Sequence, residues 1–300
     1  MRIAVTGASG FVGGAAATAL AADGHNVVGF GRTPNGWAGD YHVWDLADGP
    51  ASHGTFDAVV HSAALADDWA TYSTARAANV DGTRAVLECF PETRFVHLST
   101  SSVYDALTPT IDAREDSAEG ARYLSAYSRT KAEAEQLFAG LNAVILRPHA
   151  VYGPGDTTLL PRILAGVRRG RLVLPSGGRV LHTLTHIDNL VAAIRLAVSS
   201  DERGTFNVGD ACPVQLSDVL SELLAKQGRQ DVALTSIPYS TAFAVAGGLE
   251  RLHRITGGRP RLTRYAVSQL GLERTLGLDA ARERLGFDPF ATTLDGAELW

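Results

Sequence analysis

The sequence predicts a doubly wound parallel α/β sheet followed by a smaller, mostly helical C-terminal lobe. Three observations lead there. Short β-branched runs alternate with longer helical patterns over residues 1–150. A glycine triplet stands directly after the first of those runs. Beyond Pro148 the alternation stops and proline and glycine cut the chain into short pieces. Strands that alternate with helices pair in parallel because each crossover needs a segment about as long as a helix.

Taken in order, residues 2–6 (RIAVT) read as a buried strand and 10–22 as a helix. Strands follow at 26–30, 41–44 and 57–61 (DAVVH). Residues 74–90 carry apolar side chains at helical spacing. Residues 94–99 (RFVHLS) form a fifth strand, 125–140 a helix, and 143–147 a sixth strand that stops at Pro148. Pro154, Gly155, Pro161, Gly170, Pro175, Gly177 and Gly178 then break the chain. A helix is expected at 186–198 and a strand at 205–208. The remainder is mostly helical, with a lone strand near 232–237.

Composition narrows the function classes. Hydrophobic residues make up 45% and charged residues 20%, which excludes a disordered chain. A net charge of −5 argues against nucleic acid as the main partner. Cys89 and Cys212 cannot build a disulfide framework, and with no Cys/His pair nearby no metal site is expected. No apolar run reaches the ~18–20 residues of a membrane span. No signal peptide is read either, because a strand begins at Arg2. The expectation is a soluble cytoplasmic protein. Only two of the 27 basic residues are lysines, Lys131 and Lys226.

The glycines after the first strand fall as Gly7, Gly10 and Gly13. Gly7 permits a tight turn, Gly10 lets the backbone approach a pyrophosphate, and Gly13 lets the helix pack close to the strand. The helix N-terminus favours an anion. This Rossmann-type context, strand then turn then helix, points to a nucleotide site. Residues 1–150 are therefore read as a dinucleotide-binding domain and 151–300 as mainly a substrate-binding lobe, with 180–210 expected to return to the first domain. The second strand ends in Gly29-Phe30-Gly31-Arg32, with no carboxylate for the ribose 2′-hydroxyl of NAD. Arg32 offers a planar fork of donors suited to a 2′-phosphate, which favours NADP(H) over NAD(H).

Tyr127 and Lys131 are four residues apart in a predicted helix and so share one face. A fixed ammonium would lower the pKa of a phenol and make it a usable acid or base near neutrality. The same lysine could hold a nicotinamide ribose. The fifth strand runs into Thr100-Ser101-Ser102, hydroxyls just past the C-terminal edge of a parallel sheet, where such sheets bind ligands.

Together these features resemble the extended short-chain dehydrogenase/reductases, the NAD-dependent epimerase/dehydratase family. The matching segments are TGASGFVGG at 6–14, Asp45-Leu46, HSAA at 61–64, NVDGT at 79–83, LSTSSVYD at 98–105 and YSRTK at 127–131. LRPHAVYGPGD at 146–156, THIDN at 185–189, FNVGD at 206–210 and DAARERLGFDP at 279–289 follow. The resemblance implies a catalytic set of Thr100, Tyr127 and Lys131. It implies that Gly7, Gly10, Phe11 and Val12 border the pyrophosphate, Asp45 and Leu46 the adenine, and Ala63 and Ala64 the cofactor backbone. It gives Asn79 a structural or cofactor-positioning role and places Pro148 and His149 beside the nicotinamide. It also implies a homodimer through a helix bundle that would include 74–90 and 125–140.

Two departures separate the branches of that family. The acidic pair that follows the catalytic threonine in nucleotide-sugar dehydratases is Ser101 and Ser102 here. The diphosphate-binding arginine of many nucleotide-sugar epimerases is His182 here, with Arg179 three residues away. DDWATY at 67–72, GGRVLHTLTHIDN at 177–189 and GRPRLTRYAVSQLG at 258–271 look instead like the 3β-hydroxysteroid dehydrogenase-like branch, which takes apolar alcohols or ketones. The first reading is thus an NADP(H)-dependent secondary-alcohol dehydrogenase or ketone reductase. The alternatives are a nucleotide-sugar 4-epimerase with tightly bound NAD and a non-enzymatic dinucleotide sensor. Trp69 is a candidate wall of the substrate cleft or a buried anchor. His61 and His186 read as structural histidines, Cys89 as core, 112–119 as a solvated acidic loop, and 241–252 as a core helix of the lobe.

Overall fold

The computed structural model describes residues 1–34, 37–157 and 159–300. Seven strands form the main sheet in the order Gly204–Val208, Ala143–Pro148, Arg94–Leu98, Ala58–His61, Arg2–Thr6, Asn26–Gly31 and Asp40–Val43. All six neighbouring pairs are parallel. The winding direction reverses between Arg2–Thr6 and Ala58–His61, and a crevice opens beyond the carboxyl ends of strands at such a point.

Both faces of the sheet are covered, which is why its strands read as continuous apolar runs rather than alternating ones. On one face Ile3, Val5, Val60, Val96 and Leu146 pack beneath the helices Phe11–Ala22 and Ile187–Ser199. On the other, Ala4, Val28, Val59, Phe95 and Ile145 pack against Ala85, Val86, Phe90 and Phe138. Gly204–Val208 is the outermost strand of this sheet, hydrogen-bonded to Ala143–Pro148, although it lies beyond Pro148 in the chain.

The stretch expected as one helix at 74–90 has three consecutive pieces. Tyr72–Arg76 and Gly82–Cys89 are α-helical, and between them Ala77–Asp81 makes a wider π-helical turn. The acidic stretch at 112–119 is largely exposed to solvent, as expected, but it is not all loop. Thr110–Ala113 pairs with Arg274–Leu276, and Glu115 accepts the Asn207 amide at 2.8 Å. Its partners lie far along the chain, so charge alone did not reveal the strand.

The C-terminal lobe carries the helices Leu216–Lys226, Tyr239–Thr256 and Arg264–Gly271. It also carries the strand expected near 232–237 and short strands that local patterning did not reveal. Arg171–Pro175 pairs with Ala233–Ile237, and Leu181–His182 lies between Val214–Gln215 and Arg274–Leu276. Within Tyr239–Thr256, Ala242 and Ala246 are buried against Val267, as a core helix requires. Among the described residues no helix is long and apolar enough to cross a membrane.

Candidate active site

The dinucleotide side of the crevice is made from small residues. Gly7 has φ +73°, and a Cβ there would stand 2.8 Å from the Ala63 amide nitrogen. A Cβ on Gly13 would stand 2.2 Å from the Gly7 carbonyl oxygen, so the helix can sit this close only without a side chain. Gly10 is the N-cap of Phe11–Ala22, with no side-chain cap and no acid in the first turn. The first amides, including those of Phe11 and Val12, therefore lack the usual intramolecular acceptors, and the helix dipole adds positive potential there. An uncapped helix N-terminus over a glycine turn fits a pyrophosphate.

Ala63 and Ala64 follow strand Ala58–His61, and the Ala63 backbone lies against Gly7 across the reversal point. Asp45 accepts the Ala47 amide at 3.0 Å and caps the turn Leu46–Asp48, while Leu46 packs against Gly82. Arg32 lies exposed just beyond the end of strand Asn26–Gly31.

The helix Ala126–Glu135 carries the predicted catalytic pair and is fixed along its length. Ser125 caps it by accepting the Ser128 amide at 3.1 Å. Asn79, projecting from the π-helical turn, donates to Thr130 Oγ1 at 3.0 Å and also exchanges bonds with the Leu65 backbone at 2.7 and 3.2 Å. Asn79 thus ties the loop after strand Ala58–His61 to the helix Ala126–Glu135. At the far end Glu135 is buried, accepts from Ser99, and forms a forked pair with Arg147 at 2.6 and 2.9 Å. Ser99 precedes Thr100, so this clamp also sets the turn that carries the Thr100 hydroxyl.

Lys131 is 2% exposed. Its ammonium donates to the Leu98 carbonyl at 2.7 Å and to His97 Nε2 at 3.1 Å, which leaves one of its three donors. Burial lowers its pKa to about 8, with the Glu135 carboxylate opposing. His97 and His61 stack at 5.2 Å between ring centroids. Burial, with the nearby lysine, holds His61 at about 3 and His97 well below its ordinary value. Both imidazoles are therefore neutral near pH 7. His61 bridges Thr6 at 2.7 Å and Thr83 at 2.9 Å, as a structural histidine does.

Tyr127 is half-buried and its hydroxyl lies near that of Thr100. Burial raises the phenol pKa, and the Thr100 hydroxyl opposes the rise. The lowering by Lys131 expected from the sequence is not what this structure shows, because the ammonium is anchored on the Leu98 carbonyl and His97. Thr100 Oγ1 donates to Ser102 Oγ at 3.2 Å, and Ser102 Oγ lies 2.8 Å from the Tyr265 hydroxyl. Ser101 bonds His149 Nδ1 at 2.9 Å, and His149 Nε2 bonds His182 Nδ1 at 3.0 Å. Burial keeps His182 at about 3 and His149 well below its ordinary value, so this pair is also neutral. Pro148 ends the sixth strand and delivers His149 to that chain.

Opposite the cofactor side, the lobe is fastened to the main domain through Asp68. Its buried carboxylate accepts from Arg162 and Arg259 at 2.6 Å each and from Thr263 at 2.6 Å. Arg259 also pairs with Asp67 at 2.8 Å. Burial alone would raise the Asp68 carboxyl, but the bonds from Thr263 and Arg162 and the charges of both arginines hold it below its ordinary value. Trp69 donates its indole N–H to the Gly258 carbonyl at 2.9 Å and belongs to this fastening.

Sequence reasoning gave no role to Tyr265, to Glu135 and Arg147, or to Asp68. The segment 258–271 stood out as a whole, yet nothing local marks Tyr265 as a neighbour of Ser102. Asp67 and Asp68 stood out only within the segment 67–72, and nothing local points to their arginine partners.

Comparison with known proteins agrees with this geometry. The model of the NAD dependent epimerase/dehydratase family matches residues 3–209. The chain is 32% identical to a 2-alkyl-3-oxoalkanoate reductase of Stenotrophomonas maltophilia, over 99% of this chain and 97% of that protein. It is also 32% identical to a 4-hydroxy-2-methyl-3-oxo-4-farnesyl-3,4-dihydroquinoline-1-oxide ketoreductase of Stigmatella aurantiaca, over 99% and 95%. A solved short-chain dehydrogenase/reductase superfamily protein from Agrobacterium tumefaciens with bound NAD superposes with a TM-score of 0.73 at 25% identity, covering 100% of this chain and 95% of that one.

Proposed function

The chain belongs to the NAD dependent epimerase/dehydratase family, and from that premise we propose that it is an NADP(H)-dependent oxidoreductase interconverting a secondary alcohol and a ketone. The glycine turn would hold the pyrophosphate of a nicotinamide cofactor, which would supply or accept the hydride. The observation that carries the reading is the hydroxyl pair of Tyr127 and Thr100 beside a buried lysine at the carboxyl end of Arg94–Leu98. Thr100 orients the substrate oxygen. Tyr127 gives its proton to that oxygen in reduction and takes one in oxidation. Lys131 faces the same crevice with one donor left for the cofactor ribose or the phenol.

Gly7, Gly10, Phe11, Val12 and Gly13 hold the pyrophosphate, Asp45 and Leu46 border the adenine, and Arg32 takes the 2′-phosphate of NADP(H). Two relatives of similar length are named as reductases of oxo compounds, which supports an apolar ketone as substrate. The epimerase alternative is weakened by His182. It stands where a diphosphate-binding arginine would be, and it is buried, neutral and bonded to His149.

The test is to denature freshly purified protein, identify any nucleotide released, and assay ketone reduction with NADPH and with NADH. This reading expects little retained nucleotide and faster reduction with NADPH. Near-stoichiometric retained NAD, with no reduction of added ketones, would overturn it in favour of epimerisation.

A further inference from the structure

Two hydroxyl pairs, not one, stand side by side at the end of strand Arg94–Leu98. The first is Tyr127 with Thr100, the second Tyr265 with Ser102, and the Thr100 to Ser102 bond of 3.2 Å joins them. We propose that Tyr265 and Ser102 are specificity-determining residues that hold a second oxygen of the substrate, so that the preferred ketone carries another oxygen acceptor close to the reacting carbonyl, as in a β-oxo acyl compound. This inference rests on the ketone-reduction reading given above.

The argument begins with hydrogen counts. Each hydroxyl has one donor hydrogen and two acceptor sites. Three hydroxyls, those of Thr100, Ser102 and Tyr265, joined by two bonds leave one donor hydrogen unspent. Thr100 donates to Ser102, so Ser102 is free to donate to Tyr265, and the unspent hydrogen then sits on Tyr265. When a carbonyl oxygen accepts from Tyr127 and Thr100, the second pair still offers a donor a few ångströms further along the same line.

The placement of Tyr265 is built rather than incidental. It stands on the helix Arg264–Gly271, whose N-cap Thr263 accepts the Ala266 amide at 3.0 Å and donates to Asp68 at 2.6 Å. The Asp68 fastening therefore fixes the helix that presents Tyr265, 163 residues along the chain from Ser102. Ser102 itself is 6% exposed and sits in the turn Ser101–Val103 that Thr100 caps. Where a dehydratase would carry a charged acidic residue, this chain has a neutral hydroxyl bonded to a phenol. That pairing suits an uncharged or weakly charged acceptor oxygen better than a proton-transfer step.

The test compares kcat/KM for a β-oxo ester and for the methyl ketone of the same chain length, with NADPH, in wild type, Tyr265→Phe and Ser102→Ala. The quantity read is the ratio of the two values, so any loss of Thr100 alignment that slows both substrates cancels. The expected result is a wild-type ratio above one that falls roughly five- to tenfold in each variant, mainly through KM for the ester. Ser102→Ala serves independently of any effect that Tyr265→Phe has on the helix. A ratio unchanged in both variants would overturn the second-oxygen site while leaving ketone reduction intact. Reduction of neither substrate by the wild type would instead sink the hydride-transfer reading, and this inference with it.

Discussion

On the dinucleotide side of the crevice, the groups that matter are backbone amides and small residues that lie close together in the chain. On the other side they are side chains brought together across 12 to 195 residues. Gly7, Gly10 and Gly13 make their surface by having no side chain. Asp68, Glu135 and Tyr265 make theirs through hydrogen bonds to partners in other elements. The first wall is generic for a dinucleotide, and the second wall is where one family member can differ from another.

If that contrast is right, removing one polar group from the networked wall should cost stability as well as activity. Glu135→Ala has the largest expected effect. It strands Arg147 in a pair whose side chains are only 7% and 6% exposed. Breaking such a pair costs about 3–5 kcal/mol, which thermal unfolding would show as a drop in Tm on the order of 10 °C. The same change removes the carboxylate that holds the Lys131 pKa up, so any residual activity should lose its basic limb at lower pH. An unchanged Tm would mean that the clamp contributes nothing.

Asp68→Ala comes next. Its arginine partners are about half exposed, at 53% and 47%, so solvent screening reduces the loss to about 2–3 kcal/mol. The sign of its pH dependence follows from a carboxyl held below its ordinary value of 3.8. The stabilisation is present above that value and lost as pH falls through the lower, folded-state value. The Tm difference between wild type and variant should therefore be constant near neutrality and shrink below about pH 4. A difference that grew on acidification would contradict the assignment.

Arg32→Ala probes the generic wall and has the smallest expected effect on the protein itself. Stability should be unchanged, NADPH binding about tenfold weaker, and NADH binding unaffected. Titration with both nucleotides checks it. Equal loss for both would remove the 2′-phosphate role.

The same contrast explains what the sequence made legible. The glycine turn, the strand–helix alternation and the Tyr127–Lys131 spacing are local patterns, each set within a few residues, and the parallel sheet follows from them. Asn79 was legible as a positioning residue only through its motif, and its π-helical turn was not. Asp68 and Tyr265 were given no role of their own, because burial and partners 195 and 163 residues away carry no local signal. The strand that enters the acidic stretch at 112–119 was missed for the same reason, since Thr110–Ala113 becomes a strand only when Arg274–Leu276 lies beside it.

The central claim is that Tyr127 moves the proton while the glycine wall binds the cofactor independently of it. The most direct measurement sets NADPH binding by fluorescence beside ketone turnover in a single preparation of Tyr127→Phe. The account predicts binding like that of the wild type and turnover reduced about 10²–10⁴-fold. Turnover within a few-fold of wild type would contradict it.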